Sequence, residues 1–293
     1  MSEQSAVEWT HSTFNGWIGC QKAGPECDGC YAEAEWDHRR HRAKWGPGEP
    51  RSRTAPGNWA KPLAWDRAHE RFFAEHGRRQ TVFAHSLSDW ADNAVPLQWR
   101  LDLLDLVRAT PNLIWLMLTK RIGNVVELAE LAGGWPSNAA LGTTAGLQPT
   151  ADRELLKLAR AALQLHPLFT FVSVEPQLGH VDLEHVQTSE GLFDALRGGQ
   201  VAGSASTEHL PGLSWVINGG ESGRNARPMQ PAWPRSLRDQ CLRAGVPYLF
   251  KQWGAWSPDA AGAMVRSTKK DAGRMLDGVL HDEFPAALTA IAA

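Results

Sequence analysis

The chain is predicted to fold as an α/β protein, a partial or full (β/α) barrel, and three observations lead there. Short apolar runs alternate with helix-length stretches along most of the sequence. About seven such runs can be counted, which suits an open or closed parallel barrel better than a two-layer sheet. Each run ends in polar residues, as strands do where they reach the C-terminal mouth of a parallel barrel. A length of 293 residues fits one such domain, 1–293, with embellishments.

In chain order, an opening strand is expected at 14–18. It leads into a cysteine loop, 17–31, which contains the run Gly19-Cys20-Gln21-Lys22-Ala23-Gly24-Pro25-Glu26-Cys27-Asp28-Gly29-Cys30-Tyr31. A helix is expected over 31–44, starting almost at Cys30, so that its amide dipole places partial positive charge beside an electron-rich centre. Residues 46–62 are rich in Gly, Pro and Arg, the signature of a basic loop. Buried strands follow at 82–87, 113–118, 139–144, 168–174, 213–217 and 248–250, with helices at 97–109, 125–132, 152–165 and 236–244 between them. Residues 255–293 form a C-terminal extension. The sequence shows no internal repeat.

Three of the four cysteines fall within eleven residues, spaced C-x6-C-x2-C. Thiolates suit zinc and iron–sulfur clusters, and the step from Cys27 to Cys30 lets two sulfurs converge on one centre. The turn at Gly24-Pro25 can bring Cys20 back to join them. Three ligands leave one position open. Structural zinc wants four closed ligands, whereas a four-iron cluster on three cysteines keeps one iron for a ligand from solution, so the count favours the cluster. The competing readings are a zinc knuckle completed by His11, His38 or His41, and a disulfide. No histidine has the usual zinc spacing from Cys30, and a disulfide would strand one thiol in a chain that opens with no secretory signal. Cys241 reads as a small buried apolar residue in a helix.

Composition is that of an ordinary globular protein, 43% hydrophobic and 21% charged, with no apolar stretch long enough to cross a bilayer; a cytoplasmic location is expected. A net charge of −2 argues against a blanket affinity for nucleic acid. Fourteen tryptophans stand against two tyrosines. Trp17, Trp90, Trp253 and Trp256 lie near the expected working face, where aromatics can stack on bases, although tryptophan is buried on average.

At the strand ends stand Ser86, Ser88 and Asp89; Thr119, Lys120 and Arg121; Thr143 and Thr144; Ser173 and Glu175; Asn218, Gly219, Gly220, Glu221 and Ser222; and Lys251, Gln252 and Trp253. Ser86, Ser88 and Thr144 serve equally well as helix caps. Glu175 follows a dry apolar run and precedes Pro176, a setting in which burial shifts a carboxylate. Lys120 and Lys251 can neutralise a carboxylate or phosphate, and Glu221 follows two glycines that let backbone approach a ligand. Arg51, Arg53, Arg224 and Arg227 can contact phosphates or serve as ordinary surface charge.

Taken together, these segments resemble a family of phage and bacterial proteins with a three-cysteine motif, grouped with or beside the radical S-adenosylmethionine enzymes. The matching stretches are Val7-Glu8-Trp9-Thr10, Trp17-Ile18-Gly19-Cys20, Cys27-Asp28-Gly29-Cys30-Tyr31-Ala32, His85-Ser86-Leu87-Ser88-Asp89, Leu118-Thr119-Lys120-Arg121, Ser173-Val174-Glu175-Pro176, Gly219-Gly220-Glu221-Ser222-Gly223, Pro228-Met229 and Phe250-Lys251-Gln252-Trp253-Gly254, with a tail from Lys269 to Gly278. The resemblance implies a TIM-barrel-like radical-enzyme fold. It implies a [4Fe-4S] cluster on Cys20, Cys27 and Cys30, with S-adenosylmethionine on the fourth iron. Reductive cleavage would then release a 5′-deoxyadenosyl radical. Two departures stand out: the first cysteine gap is six residues where the superfamily has three, and Gly-Gly-Glu falls late in the chain.

On that footing Ser86, Asp89, Thr119, Thr143, Glu175, Asn218 and Glu221 are expected around the cofactor, from their strand-end placement. Glu175, Lys120 and Lys251 are expected to be catalytic, and Trp253 is a candidate substrate contact. A nucleic acid or nucleotide-derived substrate, an electron-donor protein and a further partner protein are the expected partners, with no membrane. The rival reading is a non-catalytic nucleic-acid-binding protein whose cysteines hold zinc. A hydrolase run by Glu175 and a lysine ranks last, since no nucleophile motif supports it.

Overall fold

The computed structural model describes residues 5–289. Seven parallel strands form one sheet in sequential order: β1 (Ser12–Phe14), β2 (Thr81–Ala84), β3 (Ile114–Thr119), β4 (Ala139–Thr144), β5 (Thr170–Val174), β6 (Trp215–Gly219) and β7 (Tyr248–Gln252). Sequential parallel order keeps every crossover on one face and curls the sheet into a half-barrel. Expectation and structure agree on a partial barrel.

The longer helices are α1 (Pro56–Arg67), α2 (His69–His76), α3 (Leu97–Arg108), α4 (Val125–Leu131), α5 (Gln148–Leu165) and α6 (Ala232–Ala244), and all but α2 add buried side chains to the core on the convex face. Two small hairpins, Val186–Thr188 with Gly191–Phe193 and Gly198–Gly199 with Leu210–Pro211, stand in the connection from β5 to β6.

Both faces of the sheet are apolar, as parallel sheets buried on both sides require. Val82, Ala84, Trp115, Met117, Leu141, Val172, Val174, Val216 and Phe250 point to the helices and form the larger core. Phe83, Ile114, Leu116, Ala140, Phe171, Trp215, Ile217 and Leu249 point inward and pack with Trp9 as the floor of the half-barrel. The floor closes at Gly142, where an added Cβ would lie 2.4 Å from the Phe171 ring, so the absent side chain is the space that ring fills.

Four local expectations are corrected. The opening strand is Ser12–Phe14, while Trp17–Ile18 leaves the sheet and pairs antiparallel with Ser52–Arg53. The strand read at 82–87 stops at Ala84, because His85 adopts a left-handed φ of 68° and turns the chain. The helix read at 31–44 is one turn, Tyr31–Glu33, continued by a wide π turn, Ala34–Arg39; it ends where the amides of Arg42 and Ala43 both return to the Trp36 carbonyl. The loop read at 46–62 gives way at Pro56, which opens α1 with its φ already helical.

In the C-terminal extension, the Phe250 amide donates to the His281 carbonyl at 2.9 Å, and Leu288 is buried in the inner core. Among the described residues no helix is long and apolar enough to cross a membrane.

Candidate functional site

Side chains alternate along a strand, so the inward register that builds the floor continues upward into polar residues at the mouth. Phe83 leads to His85, Leu116 through Leu118 to Lys120, Ala140 through Gly142 to Thr144, Phe171 through Ser173 to Glu175, Ile217 through Gly219 to Glu221, and Leu249 to Lys251. The last residue of each series, with Phe83, Leu118 and Ser173, lines a cavity of about 430 Å³ together with Cys20, Cys27, Cys30, Ser86, Asp89 and Thr119. Thr143 and Asn218 fall on the opposite register and are absent from that lining. The Thr143 hydroxyl donates to the Thr119 carbonyl at 3.0 Å. The Asn218 amide donates to the Val174 carbonyl and the Gln177 side chain, and its oxygen accepts from the Tyr248 hydroxyl at 3.0 Å.

The cysteine loop lies across the mouth as a chain of tight turns. Gly19 takes a φ of 106°, which turns the chain out of the short Trp17–Ile18 strand. Gly24 starts a single 3-10 turn, Pro25–Cys27, and Cys30 caps the Tyr31 helix. Cys20, Cys27 and Cys30 are half-buried and none forms a disulfide.

Arg121 fastens this loop to the barrel. Its guanidinium donates to Asp89 at 2.8 Å and to the Gln21 carbonyl at 2.8 Å, and lies 3.9 Å from the Cys20 sulfur. Asp89 also accepts the Thr119 hydroxyl at 2.6 Å and the Lys120 amide at 3.0 Å. Its carboxylate is thereby committed to holding the mouth together.

Burial, then the charge of Asp89, pushes the Cys20 thiol up to about 12. Burial also raises Cys30. A metal takes thiolates, so loading this site means releasing protons and placing negative charge in a half-buried loop. Lys120 faces that charge. Burial pulls its pKa down, but the cysteine sulfurs, Cys27 first, and Asp89 outweigh it and raise it overall.

Opposite the loop, Lys251 Nζ lies 2.6 Å from Glu175 Oε1, both side chains largely buried. Gly219 leaves room for this carboxyl, since a Cβ there would lie 3.2 Å from it. Glu221, 4% exposed, is held by Arg227 at 2.6 Å and by its amide at 2.8 Å, and packs on Gly29, where a Cβ would come within 2.3 Å of the carboxylate. Glu221 therefore docks the cysteine loop, and Arg227 is its partner.

Among the arginines considered for phosphate, Arg51 is buried against Asp92 at 2.8 Å, and Arg53 stacks on Trp59 at 4.6 Å and pairs with Asp102 at 2.7 Å. Trp17, Trp90 and Trp253 are buried, while Trp256 is half-buried and donates to the Ala226 carbonyl at 2.7 Å. Cys241 is wholly buried in α6.

The lining also includes residues to which strand-end reasoning gave no role: Glu26, Tyr31, Trp9 and Lys269. The Tyr31 hydroxyl donates to the Ser86 carbonyl at 2.6 Å, tying the loop to the exit of β2. Glu26 had one available signal, its position between two cysteines.

Among the described residues no group of three or more His, Cys, Asp or Glu side chains is arranged to hold a single metal ion. A tetrahedral zinc would need its sulfurs all about 2.3 Å from one point. A four-iron cluster spreads its thiolates over separate irons. The donor set is three cysteines on one cavity wall, with His85 the one histidine in the lining, and three thiolates suit a four-iron cluster.

A family model described as "Protein of unknown function (DUF5131)" matches residues 4–285, and the chain belongs to that family. No curated protein and no solved structure matches it.

Proposed function

We propose that this member of the DUF5131 family is a radical S-adenosylmethionine enzyme. Cys20, Cys27 and Cys30 would hold a [4Fe-4S] cluster, and the cavity beside them would receive S-adenosylmethionine and a nucleic-acid or nucleotide-derived substrate. One observation carries the reading: three cysteines, none in a disulfide, share one cavity wall at the C-terminal mouth of a parallel half-barrel. When bound, the cluster would supply the electron that cleaves the S–C5′ bond of S-adenosylmethionine, an electron-donor protein replenishing it.

The chain's own residues do the binding, orienting and shielding that such chemistry asks of a protein. Lys120 sets positive charge against the thiolates, which favours an added electron. Arg121 and Glu221 fix the two ends of the cysteine loop. The Glu175–Lys251 pair offers a carboxylate and an ammonium to the polar groups of a ligand, with Ser86, Thr144 and Ser173 around them. The floor of Trp9, Phe83 and Leu118 excludes water from the reacting end.

The test is electron paramagnetic resonance on anaerobically reconstituted, dithionite-reduced protein, with and without S-adenosylmethionine. A [4Fe-4S]+ signal that changes on adding the cofactor supports the reading. A signal indifferent to it would leave a structural cluster, and zinc without any cluster would sink the enzyme assignment.

A further inference from the structure

Glu26 is 6% exposed, lines the cavity, and belongs to no interaction used above. Its Oε1 is enclosed and has no hydrogen-bond partner among the described residues. Nearby cations make their hydrogen bonds elsewhere, although Arg227 is close enough to feel the charge of Glu26. Arg227 serves Glu221 at 2.6 Å and the Pro25 carbonyl at 3.0 Å, and Lys22 pairs with Asp28 at 3.4 Å. Two glycines leave the space that Glu26 occupies. A Cβ on Gly146 would lie 2.9 Å from its Cγ, and one on Gly24 would lie 2.9 Å from its Oε2. On the same cavity lining, Thr144 is 2% exposed and its hydroxyl also lacks a partner among the described residues.

We infer that Glu26 is a specificity-determining residue of this cavity, receiving a ligand group that presents paired N–H donors, with Thr144 as the neighbouring hydrogen-bonding group. A buried carboxylate is a pure acceptor and is costly to leave unpaired, so its complement is a donor brought by the ligand. Its two coplanar oxygens match two parallel N–H bonds, as on the edge of guanine or on a guanidinium. This deepens the proposed function by naming a substrate chemistry, and rests on that reading only in taking the cavity as the substrate's.

The experiment is isothermal titration calorimetry of the anaerobic full-length chain with guanosine against inosine, which lacks the amine, and with agmatine against butylamine, which lacks the guanidinium. Guanosine or agmatine is expected to bind about ten-fold or more tighter than its control, because a site built for a hydrogen bond rejects the analogue that lacks it. Glu26→Gln, whose amide opposes the incoming N–H, is expected to erase that preference. Thr144→Val is expected to weaken the preferred probe at least about three-fold. Iron content is read for each variant, so that if Glu26→Gln disturbs the cysteine loop, Thr144→Val decides.

No preference in the wild type, or a preference that survives Glu26→Gln, overturns the inference. So does a Thr144→Val chain with intact iron and unchanged binding. A preference retained by a chain that shows no cluster signal would sink the radical chemistry alone, and a responsive cluster with no preference would sink this inference alone.

Discussion

Arg51 offers the sharpest test of how the site is held. It sits in a segment rich in glycine and proline, yet its side chain is 0% exposed and donates two hydrogen bonds to Asp92, itself 1% exposed, at 2.8 and 3.0 Å. The same guanidinium donates to the Glu49 carbonyl at 2.7 Å, while the Gly46 amide in that turn donates to the Cys20 carbonyl at 2.9 Å. Arg51 thus anchors the turn against which the first cysteine rests. Arg51→Met leaves the Asp92 carboxylate buried without its main partner, and we expect a loss of about 3–5 kcal/mol, the cost of breaking a buried pair. At about 2–4 °C per kcal/mol this lowers the melting temperature by roughly 6–20 °C. Arg39→Met is the control: that side chain is 76% exposed and pairs with Glu35 at the surface, a contact worth about 0–1 kcal/mol. In a double-mutant cycle, Arg51→Met with Asp92→Leu should cost less than the sum of the single changes by at least about 2 kcal/mol, since no charge is then stranded. Urea unfolding followed by tryptophan fluorescence reads the four proteins of the cycle and the Arg39→Met control. Strict additivity, or an Arg51→Met loss below about 1 kcal/mol, would refute the claim that Arg51 is a buried structural anchor.

Burial holds His85 at a pKa of about 3, below its ordinary 6.5, so it is neutral in the folded chain. The unfolded state binds the extra proton between those values, so this contribution is complete above pH 6.5 and is lost as pH falls toward 3. At pH 5 the loss is about 2 kcal/mol, and urea midpoints at pH 5 and 7 should show a smaller difference in His85→Asn, which tolerates the left-handed backbone. Gly142→Ala forces a methyl against the Phe171 ring and should cost about 1–3 kcal/mol, with Phe171→Leu in the same chain recovering part of it by thermal melting. Cys20→Ser, Cys27→Ser and Cys30→Ser should each strip most of the iron from reconstituted protein. Cys241→Ser, buried in α6 away from the cavity, should retain it; equal loss in all four would contradict the ligand assignment.

The polar mouth was legible from the sequence because strand ends announce themselves by a change from apolar to polar, and those ends do converge on one cavity. Which of two adjacent polar residues points inward was not. In an antiparallel sheet with one wet face, alternation of polar and apolar residues reveals the parity of each position. Here both faces are dry, so Thr143 and Thr144 look alike in sequence. Only pairing of Thr144 with Ser173 and of Thr143 with Val172 separates them, one facing the cavity and the other the helices. The same limit hid the anchor. Arg51 reads as a solvated loop cation because its partner lies 41 residues on, and nothing local marks the burial of either side chain. Asp89 and Glu221 likewise read as ligand contacts from their position, whereas their charges are spent on Arg121 and Arg227. The mouth therefore carries two sets of polar groups. A satisfied set holds the cysteine loop in place, and a smaller set, in which Lys120, Glu26 and Thr144 face the cavity with Glu175 and Lys251, remains for a ligand. The unpaired buried oxygens of Glu26 and Thr144 mark that second set, because a buried acceptor or hydroxyl on a cavity wall gains most from a ligand that completes its hydrogen bonding.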